Sequence, residues 1–293
     1  MEDLIQSVIK EKQKKIFLIN SSDTDEELKS EYVEGAENVP LPSKGLFYKF
    51  NKKFENSSSI KVRKLTYEDE DILTTKSYLE DGSVFIELLN SVIVDKEIRA
   101  TSLVPIDRDT LLLWLRSTSF GNHYEIDAVC PRCNGKNIIA WDLSELEIPE
   151  YDKEVLLQLE EKGEYEIITP LKGVKVFLSV PTLGKTKQFE KFISLRKEKE
   201  KLKSDLFGTA SLLVYISGVE VTENEILRDR TEIDRYFRKI SLPISDTRFI
   251  RKQIDKVNLK YETKKTMECI HCNHIQEGVE LPIGHSNFFW SEF

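Results

Sequence analysis

Two short cysteine pairs, Cys130-Pro131-Arg132-Cys133 and Cys269-Ile270-His271-Cys272, hold all four cysteines of this 293-residue chain. A C-x-x-C turn between two strands points both sulfurs to one side, and two such turns facing each other form a tetrahedral four-thiolate cage suited to Zn2+. The flanking residues alternate as strands do: Tyr124, Ile126 and Ala128 before the first pair, Ile138 to Trp141 after it, then Tyr261 to Met267 and Val279 to Ile283 around the second. The expected site is therefore one structural zinc on Cys130, Cys133, Cys269 and Cys272, with no catalytic residue and no organic cofactor. Two other readings stay open at this level: separate or empty turns without a shared metal, and redox or disulfide chemistry.

The spacing is unusual, because a compact zinc ribbon places its knuckles about fifteen to twenty residues apart. Here Cys133 and Cys269 bracket most of the C-terminal half. Closing a flexible loop of that length costs roughly 4 kcal/mol beyond a constant, against about 10 to 16 kcal/mol for structural zinc in finger peptides. A split ribbon is thus physically permitted, the more so when the intervening chain is itself folded.

Other chemistry is scarce. The chain lacks G-x-x-x-x-G-K-[ST], G-x-S-x-G and H-E-x-x-H. Its histidines, His123, His271, His274 and His285, lie near the cysteine pairs or the C-terminus; His271 or His274 is a candidate to replace a cysteine or to support the ligands. A formal net charge of −8 and a pI near 5.3 argue against wrapping duplex nucleic acid. No apolar run reaches the length of a membrane span and no signal-peptide core is present, so the expectation is a soluble protein made in a reducing cytoplasm.

The elements that must position the cysteines read as α+β: a split four-cysteine ribbon-like β unit with N-terminal helices and a largely helical insertion between the knuckles. Residues 1–38 read as a flexible N-terminal arm, with Leu4, Ile5, Val8 and Ile9 on a helical period and seven acidic residues against one lysine from Asp23 to Glu37. Residues 39–145 read as an α/β part carrying the first knuckle. It starts with an extended segment, Pro40 to Tyr48, expected to lie against other subunits. A strand from Ile60 to Lys64 follows, then helices from Thr66 through about Tyr78, from about Ser83 to Val94, and from Asp107 to Gly121.

Residues 146–258 read as a hairpin around Lys172-Gly173 plus helices: one stopped by Gly163, one from Thr186, and further ones over Leu206 to Ile216, Tyr236 to Ile240 and Phe249 to Val257. Residues 259–293 carry the second knuckle, a closing strand from Gly278 to Ile283 and four aromatics in the last seven positions. Of these, Phe288 and Phe289 are expected on the protein's own ribbon, Trp290 and Phe293 on a neighbour.

Several segments together resemble the baseplate hub subunits of T-even-like contractile-tailed phages. They are Leu41-Pro42-Ser43-Lys44-Gly45-Leu46-Phe47-Tyr48; Leu65-Thr66-Tyr67-Glu68-Asp69-Glu70-Asp71-Ile72-Leu73; Leu115-Arg116 with Phe120-Gly121-Asn122-His123-Tyr124 leading into the first cysteine pair; and the second pair with Val279-Glu280-Leu281-Pro282 and Phe288-Phe289. The resemblance runs from about residue 39 onward. It implies a non-enzymatic virion structural protein, assembled in the host cytoplasm into a tail baseplate and bound to other baseplate and tail proteins in a hetero-oligomer. In the family pattern glycine follows the second cysteine of each knuckle; Asn134 and Asn273 stand there instead, and asparagine also tolerates the left-handed turn. The competing reading is a zinc-ribbon module of transcription or translation that binds nucleic acid, which would show affinity falling steeply with salt.

Overall fold

In the computed structural model the described residues are 35–48, 57–199, 207–223, 225–284 and 288–289. The expectations for residues 1–34, and for Trp290 and Phe293, lie outside them. Strand β1 (Glu37–Pro40) pairs antiparallel with β2 (Ser59–Val62), and Val62 bridges onward to Ile93. Three helices follow: α1 (Tyr67–Thr74), α2 (Lys76–Glu80) and α3 (Val84–Val92). A 3-10 turn at Ala100–Ser102 leads into α4 (Pro105–Phe120). Ile60, Val62, Leu88, Leu89, Val92, Ile93, Leu103, Leu111, Leu112 and Leu115 are buried together, so these elements share one apolar interior.

The helix start at Thr66 follows the expected capping logic. The Thr66 N–H donates to Asp69 Oδ2 at 2.8 Å, and the same carboxylate takes Arg63 in a bidentate pair at 2.6 and 2.9 Å. The helix does not run unbroken to Tyr78, however. Thr75 adopts an extended conformation, and the Thr74 and Thr75 hydroxyls donate back to the Glu70 and Asp71 carbonyls, competing with the helical ladder at that point.

Beyond Pro40, which ends β1, the segment to Tyr48 is neither extended nor turned outward. After β1 it coils through successive turns, with Lys44 N–H to Leu41 O, Leu46 N–H to Ser43 O and Tyr48 N–H to Gly45 O. Lys44 and Gly45 both take positive φ. Leu41, Leu46 and Tyr48 are buried, so the segment belongs to the protein's own core and its backbone groups are satisfied at home. Its anchor is Asp107 on α4, which is fully buried. Ser43 N–H donates to Oδ1 at 3.1 Å, while Ser43 Oγ and Tyr48 Oη donate to Oδ2 at 2.5 and 2.6 Å. Tyr48 Oη in turn accepts the Val104 N–H at 2.9 Å, fixing the start of α4.

A hairpin of β3 (His123–Val129) and β4 (Lys136–Asp142) carries the first cysteine pair. Helix α5 (Lys153–Lys162) ends at left-handed Gly163. The insertion then builds more sheet than expected: β5 (Tyr165–Ile168), β6 (Lys175–Leu178), β7 (Ile216–Thr222) and β8 (Glu225–Leu227) form one antiparallel sheet in that order. The hairpin at Lys172-Gly173 is as read, its turn held by Asp246, which accepts the Leu171 and Lys172 N–H groups. The stretch read as a helix to Ile216 instead ends at Leu213 and turns into β7, because Ile216, Val219 and Val221 suit the pleated sheet better than a helix.

Helices α6 (Leu183–Lys199), α7 (Phe207–Leu213), α8 (Arg230–Lys239) and α9 (Ile244–Val257) complete the insertion. It is tied to the N-terminal helices where Leu183 N–H donates to Leu103 O at 2.9 Å. Gly184 beside it lies so near that a Cβ would sit 3.1 Å from the Thr101 carbonyl. A second hairpin, β9 (Lys265–Glu268) with β10 (Ile275–Val279), carries the second cysteine pair. Its closing strand begins and ends earlier than expected, with a register shift around positive-φ Gly278. Among the described residues no helix is long and apolar enough to cross a membrane.

Two buried carboxylates make opposite predictions. Burial alone would lift Asp69, but hydrogen bonds from Arg63, the Thr66 N–H and Ser91 outweigh it and hold the carboxyl below its ordinary value. Its contribution is present above the unfolded-state value near pH 4 and is lost as pH falls through the lower folded value. Asp69→Asn should therefore flatten the acid limb of stability, read from urea midpoints between about pH 2 and 5. Asp107 is raised by burial against the pull of its three donors, so its contribution declines as pH rises through the folded value. Asp107→Ala, which strands three donors, should cost roughly 3 kcal/mol in urea unfolding at neutral pH. Asp107→Asn should cost less than Asp107→Ala, because with its oxygen toward the Ser43 N–H its NH2 can donate to the Ser43 and Tyr48 hydroxyls, which accept as well as donate.

Candidate metal centre

The two cysteine turns are built alike. In the first, Asn134 N–H donates to Cys130 O at 2.9 Å and Cys130 N–H to Gly135 O at 3.0 Å; in the second, Asn273 N–H donates to Cys269 O and Cys269 N–H to His274 O, both at 2.9 Å. Asn134 and Asn273 take φ of 55° and 54°, the left-handed conformation that lets each turn close. Backbone amides also point at sulfur: Gly135 N–H lies 3.4 Å from Cys133 Sγ and His271 N–H 3.4 Å from Cys269 Sγ.

These matching turns face each other. The four Sγ atoms all lie within 4.8 Å of one another, with Cys130 to Cys272 at 3.8 Å and Cys133 to Cys269 at 3.6 Å. A disulfide needs about 2.05 Å, and all four residues are free thiols. Cys130 and Cys269 are fully buried, Cys272 is half-buried and Cys133 is exposed.

The thiols of this cluster differ in how readily they ionise. At Cys133 the Gly135 N–H favours the thiolate, but the neighbouring thiols of Cys272, Cys269 and Cys130, together with burial, outweigh it and push the group to about 12. At Cys269 burial opposes ionisation, yet the N–H groups of His271 and Cys272, with Cys133 and Asn137, bring it down to about 6. One thiolate is thus easily formed, whereas four anionic sulfurs at these distances require a positive ion among them. The four cysteines could hold one metal ion, and four thiolates would fill a tetrahedral shell with no position left over.

Several side chains join the hairpins beside the sulfurs. Asn137, buried on the inner face of β4, accepts the Ile270 N–H at 3.0 Å and donates to Gly135 O at 2.9 Å, with Cys269 Sγ 3.7 Å from its amide nitrogen. The His271 ring packs on Gly135, where an added Cβ would fall 2.3 Å from Cδ2, and its Nε2 lies 3.0 Å from Lys136 O. His271 therefore braces the opposite hairpin and replaces no cysteine. Farther along, Trp141 Nε1 donates to Thr263 O at 3.0 Å and Lys265 Nζ donates to Ala140 O at 2.7 Å while lying over the Trp141 ring. Asn137 was missed by reading spacing alone; its signal is a polar residue at an inward strand position between Gly135 and Ile139.

His274 contributes its carbonyl to the second turn, and His123 pairs at the surface with Glu125 at 2.8 Å, away from the sulfurs. Phe288 and Phe289 are both buried. Phe288 meets Tyr124 of β3 with ring centroids 5.4 Å apart, as expected of a ribbon contact. Phe289 instead packs on the N-terminal helices, against Phe85 at 5.9 Å and Phe120 at 6.2 Å. Arg116, buried among them, stacks on Phe120 and Tyr124 at 4.8 and 5.5 Å.

Comparison with known proteins places these features in one family. The family model described as T4 bacteriophage base plate protein matches residues 47–290, a stretch that takes in α1 to α4, both cysteine hairpins, the insertion between them and Phe288-Phe289. No curated protein and no solved structure matched the chain. On the extent of that match, the chain belongs to the T4 bacteriophage base plate protein family.

Proposed function

We propose that this protein is a non-enzymatic structural subunit of a contractile-tail baseplate, of the hub type, assembled in the host cytoplasm and held there by contacts with other baseplate and tail proteins. The observation that carries this reading is the family match across residues 47–290. In this reading residues 1–38 are an arm, residues 39–145 and 259–293 together make the ribbon-bearing body, and residues 146–258 are an insertion whose ends the ribbon joins.

The metal in this reading is a structural Zn2+ held by Cys130, Cys133, Cys269 and Cys272. Four Zn–S bonds of about 2.3 Å in a tetrahedron put sulfurs roughly 3.8 Å apart, and the two cross-hairpin pairs stand at 3.8 and 3.6 Å. Zinc would supply the charge that lets all four thiols ionise and would clamp the hairpins; Asn137, His271 and Trp141 orient the parts it joins.

Purified protein should carry about one zinc per chain by elemental analysis. Metal should be released as acid protonates the thiolates. Chelation should lower the melting temperature, and Cys133→Ser should do the same with loss of zinc. A metal content near zero with unchanged melting after chelation would defeat the zinc reading and leave the family assignment standing. For the assembly reading, Asn137→Ala should weaken the junction by about 1–3 kcal/mol and reduce incorporation into tails, scored by particle composition. Normal tails without the protein would defeat the structural role.

A further inference from the structure

The insertion presents a cleft that neither the metal centre nor the family assignment uses. It lies between the first turns of α6 and the start of α8, has a volume of about 300 Å3, and is walled by Lys185, Phe189, Phe192, Arg228, Asp229 and Arg230. Phe189 and Phe192 stack at 6.1 Å, and Phe192 keeps 41% of its surface exposed. Two of the four charged walls are already balanced: Arg228 pairs with Glu164 at 2.5 Å, and Asp229 caps α8 by accepting the Thr231 and Glu232 N–H groups. The other two are not. Arg230 stacks over Phe189 at 5.4 Å and donates to the Leu213 and Val214 carbonyls; Asp229 acts on it only through space, and among the described residues neither it nor Lys185 forms a close ion pair with a carboxylate.

Such a surface, two cations beside an aromatic shelf, fits a carboxylate-rich peptide that also carries an aromatic or aliphatic side chain. The chain contains one. Between Asp23 and Glu34 stand Asp23, Asp25, Glu26, Glu27, Glu31 and Glu34, interleaved with Leu28, Tyr32 and Val33 and a single lysine. We propose that the cleft receives this acidic segment of its own chain, its carboxylates on Lys185 and Arg230 and an apolar side chain against Phe192. Twelve residues extended reach about 40 Å, comparable with the roughly 40–50 Å breadth of a domain of this length. The tether also supplies an effective concentration on the order of millimolar, so a weak contact suffices.

The full-length protein provides the test. A carbodiimide joins an amine to a carboxylate only where the two touch, so mass spectrometry of the monomer band should find Lys185 linked to carboxylates of residues 23–34. The yield should fall at least about threefold from roughly 0.1 M to 1 M salt, as the screening length contracts from about 10 to about 3 Å. Lys185→Arg, which keeps the charge and removes the reactive amine, should erase the link with no change in melting temperature. The exposed-side variant Phe192→Ala should reduce it. Lys185 links that lead only elsewhere would overturn the proposal, as would a yield indifferent to salt and to Phe192→Ala. Links that join differently isotope-labelled chains would overturn it too, assigning the cleft to a second copy's segment.

Discussion

Four sulfurs drawn into one cluster tie together parts of the chain 136 residues apart, and most of the architecture follows from that closure. Neither hairpin is stable alone, since two strands without a further layer are marginal in water. Each is held by the other at the sulfur end, through Asn137 and His271, and farther out by Trp141 and Lys265. Because the hairpins also bound the insertion, the cluster sets where that insertion leaves and where it returns.

Around this junction the protein solves a second problem, the burial of charged groups, by giving each a dedicated partner set. Asp107 collects Ser43 and Tyr48, Asp69 collects Arg63 and Ser91, and Asp246 takes two amides of the β5–β6 turn. All three carboxylates reach across sequence from one element to another, so each orients a loop as well as being satisfied. Arg116 is handled differently, by stacking among aromatics where the Phe288-Phe289 segment docks.

The sequence revealed the local parts of this design and concealed the distant ones. The cysteine turns, the Thr66 cap, the Gly163 stop and the Lys172-Gly173 hairpin each rest on residues within a few positions of one another, where spacing carries the physics. The course of Pro40–Tyr48 depends on Asp107, about sixty positions away, and its prolines alone read as an extended piece. Likewise β7 became legible only with β6 beside it, because Leu212 to Ile216 is apolar enough to extend a helix and Val219 finds its register against Val176. Asn137 carries no motif of its own, and its role depends on the second turn, whose Ile270 N–H it accepts from more than a hundred positions away.

The separation of the two cysteine turns also fixes an order of events during synthesis. At ~5–20 residues per second, the ribosome needs on the order of ten seconds to proceed from the first turn to the second. Through that interval Cys130 and Cys133 are only half of the four-sulfur cluster, while β5 to β8 and the helices between them are already made and able to pack. The insertion is therefore free to fold before its two ends are brought together, and assembly of the four-sulfur cluster comes as the closing step.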